Sequence, residues 1–511
     1  MRSAAAAAVA TLLAAAGPVA ADTVVYTGYE QPGTAGPVAG AVASDPDVAS
    51  AIGPTDILDI VTGQLVSRDP YQQRPPLATS TEQFWTESGI SGTPNAYEHR
   101  ALYDASSGRF FVTADEHVAG ANRRYLAVSA TSGANGGWQA VALPVDGVVT
   151  NTRVAVDSNG VYITGDAADG TTHVVVIPLA DALASPPSLA HLATFVAPDP
   201  GVIPAIDLAS VSKLPTDPEY LAARGIGTSG DTTLRTYYIA WNGTGGAPLL
   251  EQNLATDLEA VFPPPPPTAL DGGGTLVSTG GSELRSLIAN GSVLTGLAAT
   301  QVNGHAGAFW FQYDPSQPIP TRQTIAPDPG CDLLLPTLGA DSIGDLGIVG
   351  VETQGGTPGM RVVATGSSIY AGAPTLTGLQ TIATSTASYT CNPDGGVSSF
   401  GRYASIGADP SSGGLFADVP FSSDGSPCAF QTLLFDFGVQ MVSYADDFPV
   451  DYPDGGYPDD PIGGDENGND GGCGCHTAAP RDGAAPLLLV GLGLVIQRAR
   501  ARARRRADRS R

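Results

Sequence analysis

The feature that most constrains the fold of this chain is a turn signature that recurs along its middle. Each copy has an apolar residue, an Asp, a few small residues, a Gly and then a strand-forming run. The copies are Leu102-Tyr-Asp104-Ala-Ser-Ser-Gly108, Val156-Asp157-Ser-Asn-Gly160, Leu270-Asp271-Gly-Gly-Gly274 and Ala408-Asp409-Pro-Ser-Ser-Gly413. Asp opens a turn by accepting backbone hydrogen bonds, and Gly adopts positive φ. The signature therefore predicts hairpins of short strands.

The spacing of these turns indicates how the hairpins are arranged. Asp104 and Asp157 are 53 residues apart, and Asp271 follows Asp157 by 114, about two such units. Units of about 40–50 residues with several strands each are typical of β-propellers. Together with a strand pair at Ile52–Leu58 and Gln64–Ser67, the pattern predicts an all-β propeller of six or seven blades. Radial closure would also remove the exposed edges of a large flat sheet.

The alternative architecture is a row of two or more β-sandwich domains. Such a row needs linkers, and the proline run Phe262–Thr268 is the only candidate. Because the turn signature continues after this run, we interpret it as a loop between blades.

The N-terminal segment Met1–Ala21 has the order of features that is typical of a secretory signal peptide. Arg2 provides the positive start, Ala4–Ala16 is apolar, and small residues precede a cleavage site between Ala21 and Asp22. We therefore expect export, with residues 1–21 removed and residues 22–50 as an N-terminal extension before a propeller body at 51–445.

The C-terminal end has three parts in a fixed order. Residues 446–472 are rich in Asp, Gly and Pro and predict a solvated stalk. Residues 473–511 then contain Cys473-Gly-Cys475, the apolar run Ala484–Ile496 and an arginine cluster. The run is shorter than the roughly 20 residues of a stable spanning helix, although the arginines could extend it by snorkelling. A transmembrane helix with its arginines on the cytoplasmic side is the expectation.

This tail resembles the MYXO-CTERM sorting signal of myxobacterial cell-surface proteins. The resemblance covers about the last 40 residues and rests on Gly471-Gly-Cys-Gly-Cys475, the short apolar helix and the terminal arginines. It implies a sorting protease as partner, removal of the helix, and processing or attachment at Cys473 or Cys475. A plain membrane anchor with an incidental or disulfide-forming Cys pair is the alternative.

The body resembles secreted bacterial propeller-like proteins of unknown function. The resemblance rests on a collinear series of short motifs, each weak when taken alone. They are Gly53-Pro54, an aromatic loop at Phe84-Trp85, Tyr103-Asp104 through Arg109, Asp157 through Tyr162, Ala308-Phe-Trp-Phe311, Gly344-Asp345, and Gly401-Arg-Tyr403 through Asp409-Pro410. The resemblance implies a propeller and no particular activity.

The charge of the chain restricts its partners. The formal net charge is −26, and eight arginines lie in the last fourteen residues, so the remainder is more acidic still. Such a body repels nucleic acid and anionic lipid. Acidic loops such as Asp451–Asp470 could hold calcium, but no EF-hand spacing supports such a site, and no other cofactor is indicated.

No catalytic motif is present in the sequence. The six histidines lack metal-ligand spacing, and neither a G-x-S-x-G elbow nor a phosphate loop occurs. Asp115-Glu116-His117 is the only hydrolase-like cluster, and we interpret it as a surface strand end. The repeated turn Asp residues are most simply structural.

Three cysteines lie in the body. Export favours disulfides, and we predict a bridge between Cys391 and Cys428 near the last blade, which leaves Cys331 free or paired with the tail.

Three functions remain open at the level of sequence. The first is a binding module at the cell envelope, with an unknown glycan or protein ligand. The second is an extracellular hydrolase of glycans or peptides with its site in the propeller channel, and the third is a structural envelope component. Three or more converging Asp, Glu, Arg or His side chains at the channel mouth would favour the enzyme.

Overall fold

The structure, a computed structural model, describes residues 23–36 and, with gaps that include 209–212, 259–267, 392–396 and 401–403, residues 47–441. The signal peptide with its Ala21–Asp22 site, the stalk, Cys473 and Cys475 lie outside the described residues. Within the described residues, neither of the two helices has the length and apolar character that would let it cross a membrane.

Seven sheets form the blades of the propeller, confirming the predicted all-β class and fixing the blade number at seven. Blade 1 contains β2 (Val48–Ile52), β3 (Ile57–Val61), β4 (Gln64–Arg68) and β5 (Leu77–Ser80). Blade 2 contains β6 (Tyr97–Asp104), β7 (Arg109–Val118), β8 (Ala121–Ser129) and β9 (Trp138–Leu143). Blade 3 contains β10 (Val149–Val156), β11 (Gly160–Ala167), β12 (Thr172–Pro178) and β13 (Ala193–Ala197).

The later blades include two departures from a simple four-strand meander. Blade 4 contains β14 (Ile203–Pro204), β16 (Glu219–Ile226), β17 (Thr232–Trp241) and β18 (Pro248–Asp257). Blade 5 contains β15 (Ile206–Asp207), β21 (Leu284–Asn290), β22 (Val293–Val302), β23 (His305–Tyr313) and β24 (Thr321–Ile325). In blade 5, β15 pairs in parallel with β21, so the chain passes from blade 4 to the inner edge of blade 5 and back.

The last two blades complete the ring. Blade 6 contains β25 (Leu333–Ala340), β26 (Leu346–Thr353), β27 (Met360–Ser367) and β28 (Gln380–Thr384). Blade 7 contains β30 (Ser405–Ala408), β31 (Leu415–Phe421), β32 (Phe430–Met441) and β1 (Thr23–Gly36). A small additional sheet contains β19 (Thr268–Ala269), β20 (Leu276–Val277) and β29 (Val397–Ser398).

The N-terminal strand closes the ring. β1 pairs antiparallel with β32, from Thr23 opposite Met441 to Gly36 opposite Phe430. Blade 7 is therefore built from both ends of the described chain. The expected boundary of the body at residue 51 leaves out this strand, because nothing local in residues 22–50 shows that they pair with a strand at the far end of the body.

The hydrophobic core lies between the blades, which excludes the alternative of separate sandwich domains. Each neighbouring pair of blades buries a cluster of apolar side chains contributed by both sheets. Between blades 1 and 2, for example, Leu58 and Ile60 pack with Phe110 and Val112. The proline run Phe262–Thr268 lies outside the described residues, except for Thr268 in β19.

The aromatic segment Phe84-Trp85 is a helix and not the loop that the family resemblance implies. Helix α1 (Thr81–Glu87) begins at Ser80, whose side chain accepts a hydrogen bond from the Gln83 backbone N–H. Phe84 and Trp85 are buried against blades 1 and 2. The second helix, α2 (Leu179–Ala182), is a single turn after β12.

The turn Asp residues have the local role that the sequence predicts. Asp104 accepts hydrogen bonds from the backbone of Ser107, Asp157 from that of Gly160, and Asp409 from that of Ser411. Each of these turns joins the first two strands of a blade. Asp271 lies outside the described residues.

The predicted disulfide is confirmed. Cys391 and Cys428 are bridged, with their Cα atoms 4.3 Å apart, and both lie in the core between blades 6 and 7. Cys331 is buried.

Candidate functional site

A central channel runs between the innermost strands of the blades. Its larger part is a cavity of about 440 Å³ whose walls come from six of the seven sheets. The wall is mainly apolar and includes Leu102, Tyr103, Ile206, Ile288 and Ile406. A smaller cavity of about 150 Å³ shares Ser50, Ala101 and Leu102 with the larger one, so the two are continuous.

Three arginines line the smaller cavity: Arg100, Arg153 and Arg285. They lie on β6, β10 and β21 of blades 2, 3 and 5, and β21 follows the short innermost strand β15 in its sheet. We call this end of the channel the arginine mouth. The innermost strands run in the same direction, and their C-terminal ends surround the larger cavity at the opposite end.

A β-bulge accompanies each of these arginines. The register between the first two strands of a blade shifts between Tyr97 and Arg100, between Thr150 and Arg153, and between Leu284 and Ser286. Blade 6 has a corresponding shift before Thr337. Bulges redirect side chains and are frequent beside functional sites.

The bulges hold non-glycine residues in a left-handed backbone conformation. Glu98 has a φ of 52°, Asn151 of 56° and Leu335 of 42°. Each lies two residues before Arg100, Arg153 or Thr337 respectively. Positive φ costs free energy for residues with a Cβ atom and is concentrated at functional positions. The same strained geometry thus occurs in three blades at one end of the channel.

Arg100 and Arg153 are held by equivalent local contacts. Arg100 donates from Nη1 to the carbonyl of His99 at 2.7 Å, and Arg153 donates from Nη1 to the carbonyl of Thr152 at 2.9 Å. The Asn151 backbone N–H donates to Glu98 Oε2 at 2.8 Å and joins the two bulges. These contacts fix both guanidinium groups at the arginine mouth.

The residues between bulge and arginine are anchored inside the blades. His99 is buried, with Nδ1 2.7 Å from Asp47 Oδ2. Thr152 is also buried, and its Oγ1 accepts a hydrogen bond from Arg124 Nη2 at 2.6 Å. Because these anchors are buried, the conformation of the mouth is coupled to the packing of blades 1 to 3.

The opposite end of the larger cavity is lined by Asp104, Asp207 and Asp341. Asp104 accepts a hydrogen bond from the Ser106 hydroxyl at 2.7 Å, in addition to those from the backbone. Asp341 Oδ1 accepts the backbone N–H groups of Ile343 and Asp345, both at 2.9 Å. Burial raises the pKa of Asp341 against these hydrogen bonds. Asp104 and Asp341 therefore stabilise turns, although they border the cavity.

Asp207 belongs to a buried cluster around the only lysine of the chain. Lys213 Nζ lies 2.6 Å from Asp157 Oδ2, 2.9 Å from Asp207 Oδ2 and 2.8 Å from Glu219 Oε2. All four residues are buried. The cluster joins the first turn of blade 3, the inner edge of blade 5 and the start of β16 in blade 4.

Burial and charge shift the pKa values of this cluster in opposite ways. Burial raises the pKa of Glu219 although Lys213 opposes the shift, and burial lowers the pKa of Lys213 less than the carboxylates raise it. Burial and then Asp157 raise the pKa of Tyr162, whose hydroxyl donates to Asp157 Oδ1 at 3.0 Å. The lysine therefore stays charged, and Glu219 takes up a proton at a higher pH than an ordinary glutamic acid does.

The same three carboxylates are close enough to hold a metal ion, which would suit a hard cation such as calcium. The ammonium of Lys213 contacts all three of them and supplies the positive charge itself. Their arrangement is explained by the lysine, so the cluster does not support the calcium hypothesis.

The hydrolase-like cluster divides between two structural networks. Asp115 accepts a hydrogen bond from Arg124 Nε at 2.8 Å, and Glu116 accepts the backbone N–H of Asn95 at 2.8 Å. Both carboxylates are buried and do not form the surface strand end that we expected. The side chain of His117 lies outside the described residues.

The three arginines were not predicted from the sequence, although a signal was present for two of them. Arg100 and Arg153 each lie four residues before a turn Asp, Asp104 and Asp157 respectively. Four residues of strand span about 13 Å, which separates the arginine from the Asp along one strand.

Comparisons with known proteins give matches of low similarity. No protein-family model and no curated protein matches the sequence. The Dos1 propeller is 8% identical over 79% of this chain and 95% of its own, with a TM-score of 0.39. The WD40 domain of SCAP from fission yeast is 8% identical over 77% and 82%, with a TM-score of 0.33. An exo-β-1,3-galactanase from Clostridium thermocellum is 11% identical over 68% and 82%, with a TM-score of 0.30.

Proposed function

We propose that this chain is an exported protein, held at the cell envelope by its tail, whose propeller binds a ligand in the central channel. The observation that carries the binding part is the channel itself. Its larger cavity of about 440 Å³ lies within the range of about 300–1,000 Å³ that is typical of small-molecule sites. Apolar walls with charged groups at the ends are the usual composition of such a site.

The chemistry of the channel supports binding better than hydrolysis. Three arginines line one mouth, and three converging charged side chains are the number that would favour an enzyme. Among the described residues, however, no carboxylate lines this mouth with them. At the other end, Asp104 and Asp341 are engaged in turns and Asp207 in the lysine cluster. A glycosidase needs one carboxylate as acid and a second as base or nucleophile. These aspartates already have structural partners.

The ligand is a glycan or a segment of a protein, and its bound part must be small. The cavity has room for about one or two sugar rings or for a few side chains, judged by the usual volumes of ligand sites. The strong negative charge of the body opposes the binding of nucleic acid.

A channel-filling substitution tests the proposal. Gly407 lines the larger cavity, and a Cβ atom placed on it meets no atom within 4 Å. Gly407→Leu should therefore fill part of the channel without a clash and lower ligand affinity at least about tenfold, the result of losing about 1.4 kcal/mol. Ligands are first identified on an array of neutral and acidic glycans, and their affinities are then measured by calorimetry.

Gly378→Leu is the matched control. Gly378 is exposed, does not line either cavity, and its added Cβ also meets no atom within 4 Å. The control should bind as the wild type does. Equal affinity of the Gly407 variant and the wild type would contradict a channel site, and specific turnover of a glycan or peptide would favour the hydrolase. A purely structural envelope protein would bind none of the ligands.

The localisation part of the proposal is supported by the sequence of the two ends. The apolar segments, the Cys473 and Cys475 motif and the arginine cluster have the order of a signal peptide and a sorting tail. Cells should retain the native protein in the envelope fraction and release a chain that ends at Gly472 into the medium. Equal release of the two proteins would contradict anchoring through the tail.

A further inference from the structure

We infer that the arginine mouth binds an oxyanion, a carboxylate or a phosphate, carried on a small sugar whose ring enters the larger cavity. The inference rests on the proposed function and specifies its ligand. It is based on the convergence of Arg100, Arg153 and Arg285 at the smaller cavity and on the continuity of the two cavities.

The scarcity of basic residues makes this convergence informative. Residues 23–441 contain thirteen arginines and one lysine in a strongly acidic chain. Three of the thirteen line a cavity of about 150 Å³. Guanidinium groups form forked hydrogen bonds to carboxylate and phosphate, so three arginines around one small cavity suit an anionic ligand.

The backbone at the mouth provides an independent reason. Bulges in blades 2, 3 and 5 carry the three arginines, and positive φ at Glu98 and Asn151 precedes two of them. A regular strand would avoid this conformational cost. The bonds from Arg100 to the His99 carbonyl and from Arg153 to the Thr152 carbonyl hold each guanidinium group in place, which reduces the entropy lost on binding.

The adjoining cavity determines what the anion is attached to. Leu102 lines both cavities, and Tyr103 and Ile406 form apolar wall in the larger one. Apolar and aromatic surfaces pack against the faces of sugar rings and exclude water around them. An acidic monosaccharide or the acidic end of a glycan therefore matches both parts of the channel.

Calorimetric titration of the full-length protein with D-glucuronate, glucose 6-phosphate and glucose tests the inference. Both anions should bind at least about tenfold more tightly than glucose, since a hydrogen bond to a charged group contributes more than a neutral one. The tighter of the two anions identifies carboxylate or phosphate as the preferred group. In the double variant Arg100→Gln/Arg153→Gln, the affinity for both anions should fall about tenfold to a hundredfold, while that for glucose stays the same.

Arg123→Gln serves as the control. Arg123 is half exposed on β8, with Nη1 3.5 Å from Glu116 Oε2, and does not line the channel. This variant should bind both anions as the wild type does. If the double variant fails to fold, as judged by circular dichroism, the single variant Arg285→Gln replaces it, with a loss of about tenfold expected.

The outcomes separate this inference from the proposed function. Equal affinities for glucuronate, glucose 6-phosphate and glucose, or full anion binding by the arginine variants, would overturn the oxyanion site. Neutral sugar binding that Gly407→Leu abolishes would then still support the channel. Conversely, arginine-dependent anion binding that persists in Gly407→Leu would support the oxyanion site and contradict a ligand that extends into the larger cavity.

Discussion

Asp157 has one function that is evident in the sequence and one that is not. Its Oδ1 accepts the backbone N–H groups of Asn159 and Gly160, its near neighbours in the same turn. Its Oδ2 contacts Lys213, which is distant in sequence and belongs to the connection that leads into blade 4. Turn chemistry depends on neighbours in sequence and can be predicted. The ion pair depends on closure of the ring. The partners of Lys213, the only lysine of the chain, could therefore not be predicted from the sequence.

The arginines show the same limit at the residue scale. A position four residues before a turn Asp can be predicted to lie within the strand that leads into the turn. That Arg100, Arg153 and Arg285 share one mouth follows only when blades 2, 3 and 5 are placed around a common axis. The bulges that orient them leave no clear trace in composition, since Glu98 and Asn151 are not glycines.

Hairpins were the elements that the sequence predicted best. Short apolar strands and Asp–Gly turns are local features, and the first two strands of blades 2, 3 and 7 lie where the turns indicate. The exact blade count could not be predicted because two pairings are nonlocal or irregular. β1 pairs with β32 across the whole body, and β15 pairs in parallel with β21 although the five strands β16 to β20 lie between them in sequence.

The seam between blades 1 and 7 differs from the other contacts between blades. Its separate apolar cluster has four described residues, Ile52, Ile57, Phe416 and Leu434, whereas the clusters between the other blades have ten or more. The seam also buries two carboxyl groups completely, Asp59 on β3 and Asp418 on β31. Burial and then the charge of Asp59 raise the pKa of Asp418 well above its usual range.

This pair makes the stability of the seam depend on pH. Arg68 Nε lies 3.5 Å from Asp59 Oδ2, and Asp418 is the carboxyl group of the pair whose pKa is raised. Folding then requires a proton that the unfolded chain has released above the ordinary Asp pKa of about 4. The free energy of unfolding should therefore fall by about 1.4 kcal/mol for each pH unit between this value and the raised pKa.

The substitution Asp418→Asn tests this account of the seam. Asn resembles the protonated carboxyl in shape and needs no proton, so the variant should be more stable than the wild type at pH 8. The difference in the free energy of unfolding should shrink as the pH falls. It should vanish below about pH 4, where Asp418 of the wild type is protonated in both the folded and the unfolded chain. Urea unfolding at a series of pH values measures it.

The exposed residue Asp169 offers a control for this series. Asp169→Asn should give no gain in stability at pH 8, because its carboxyl lies in solvent and bonds to Thr171. A loss of stability in Asp418→Asn at pH 8 would instead indicate that the carboxylate of Asp418 is ionised in the folded protein.

At the scale of the whole molecule, the ring produces a channel with unlike ends. Innermost strands that run in the same direction place residues that precede their turns by several positions at one mouth and the turns themselves at the other. Arginines line the first mouth, and Asp104, Asp207 and Asp341 line the second end. An acidic ligand would therefore be attracted to the arginine mouth and not to the opposite end of the channel.

The position of a bound acidic sugar tests the central claim most directly. We would determine the crystal structure of the protein grown with D-glucuronate. The account predicts the carboxylate within hydrogen-bond distance of the guanidinium groups of Arg100 and Arg153, with the sugar ring in the larger cavity between Tyr103 and Ile406. Glucuronate bound on the outer surface of the blades, with none in the channel, would contradict it.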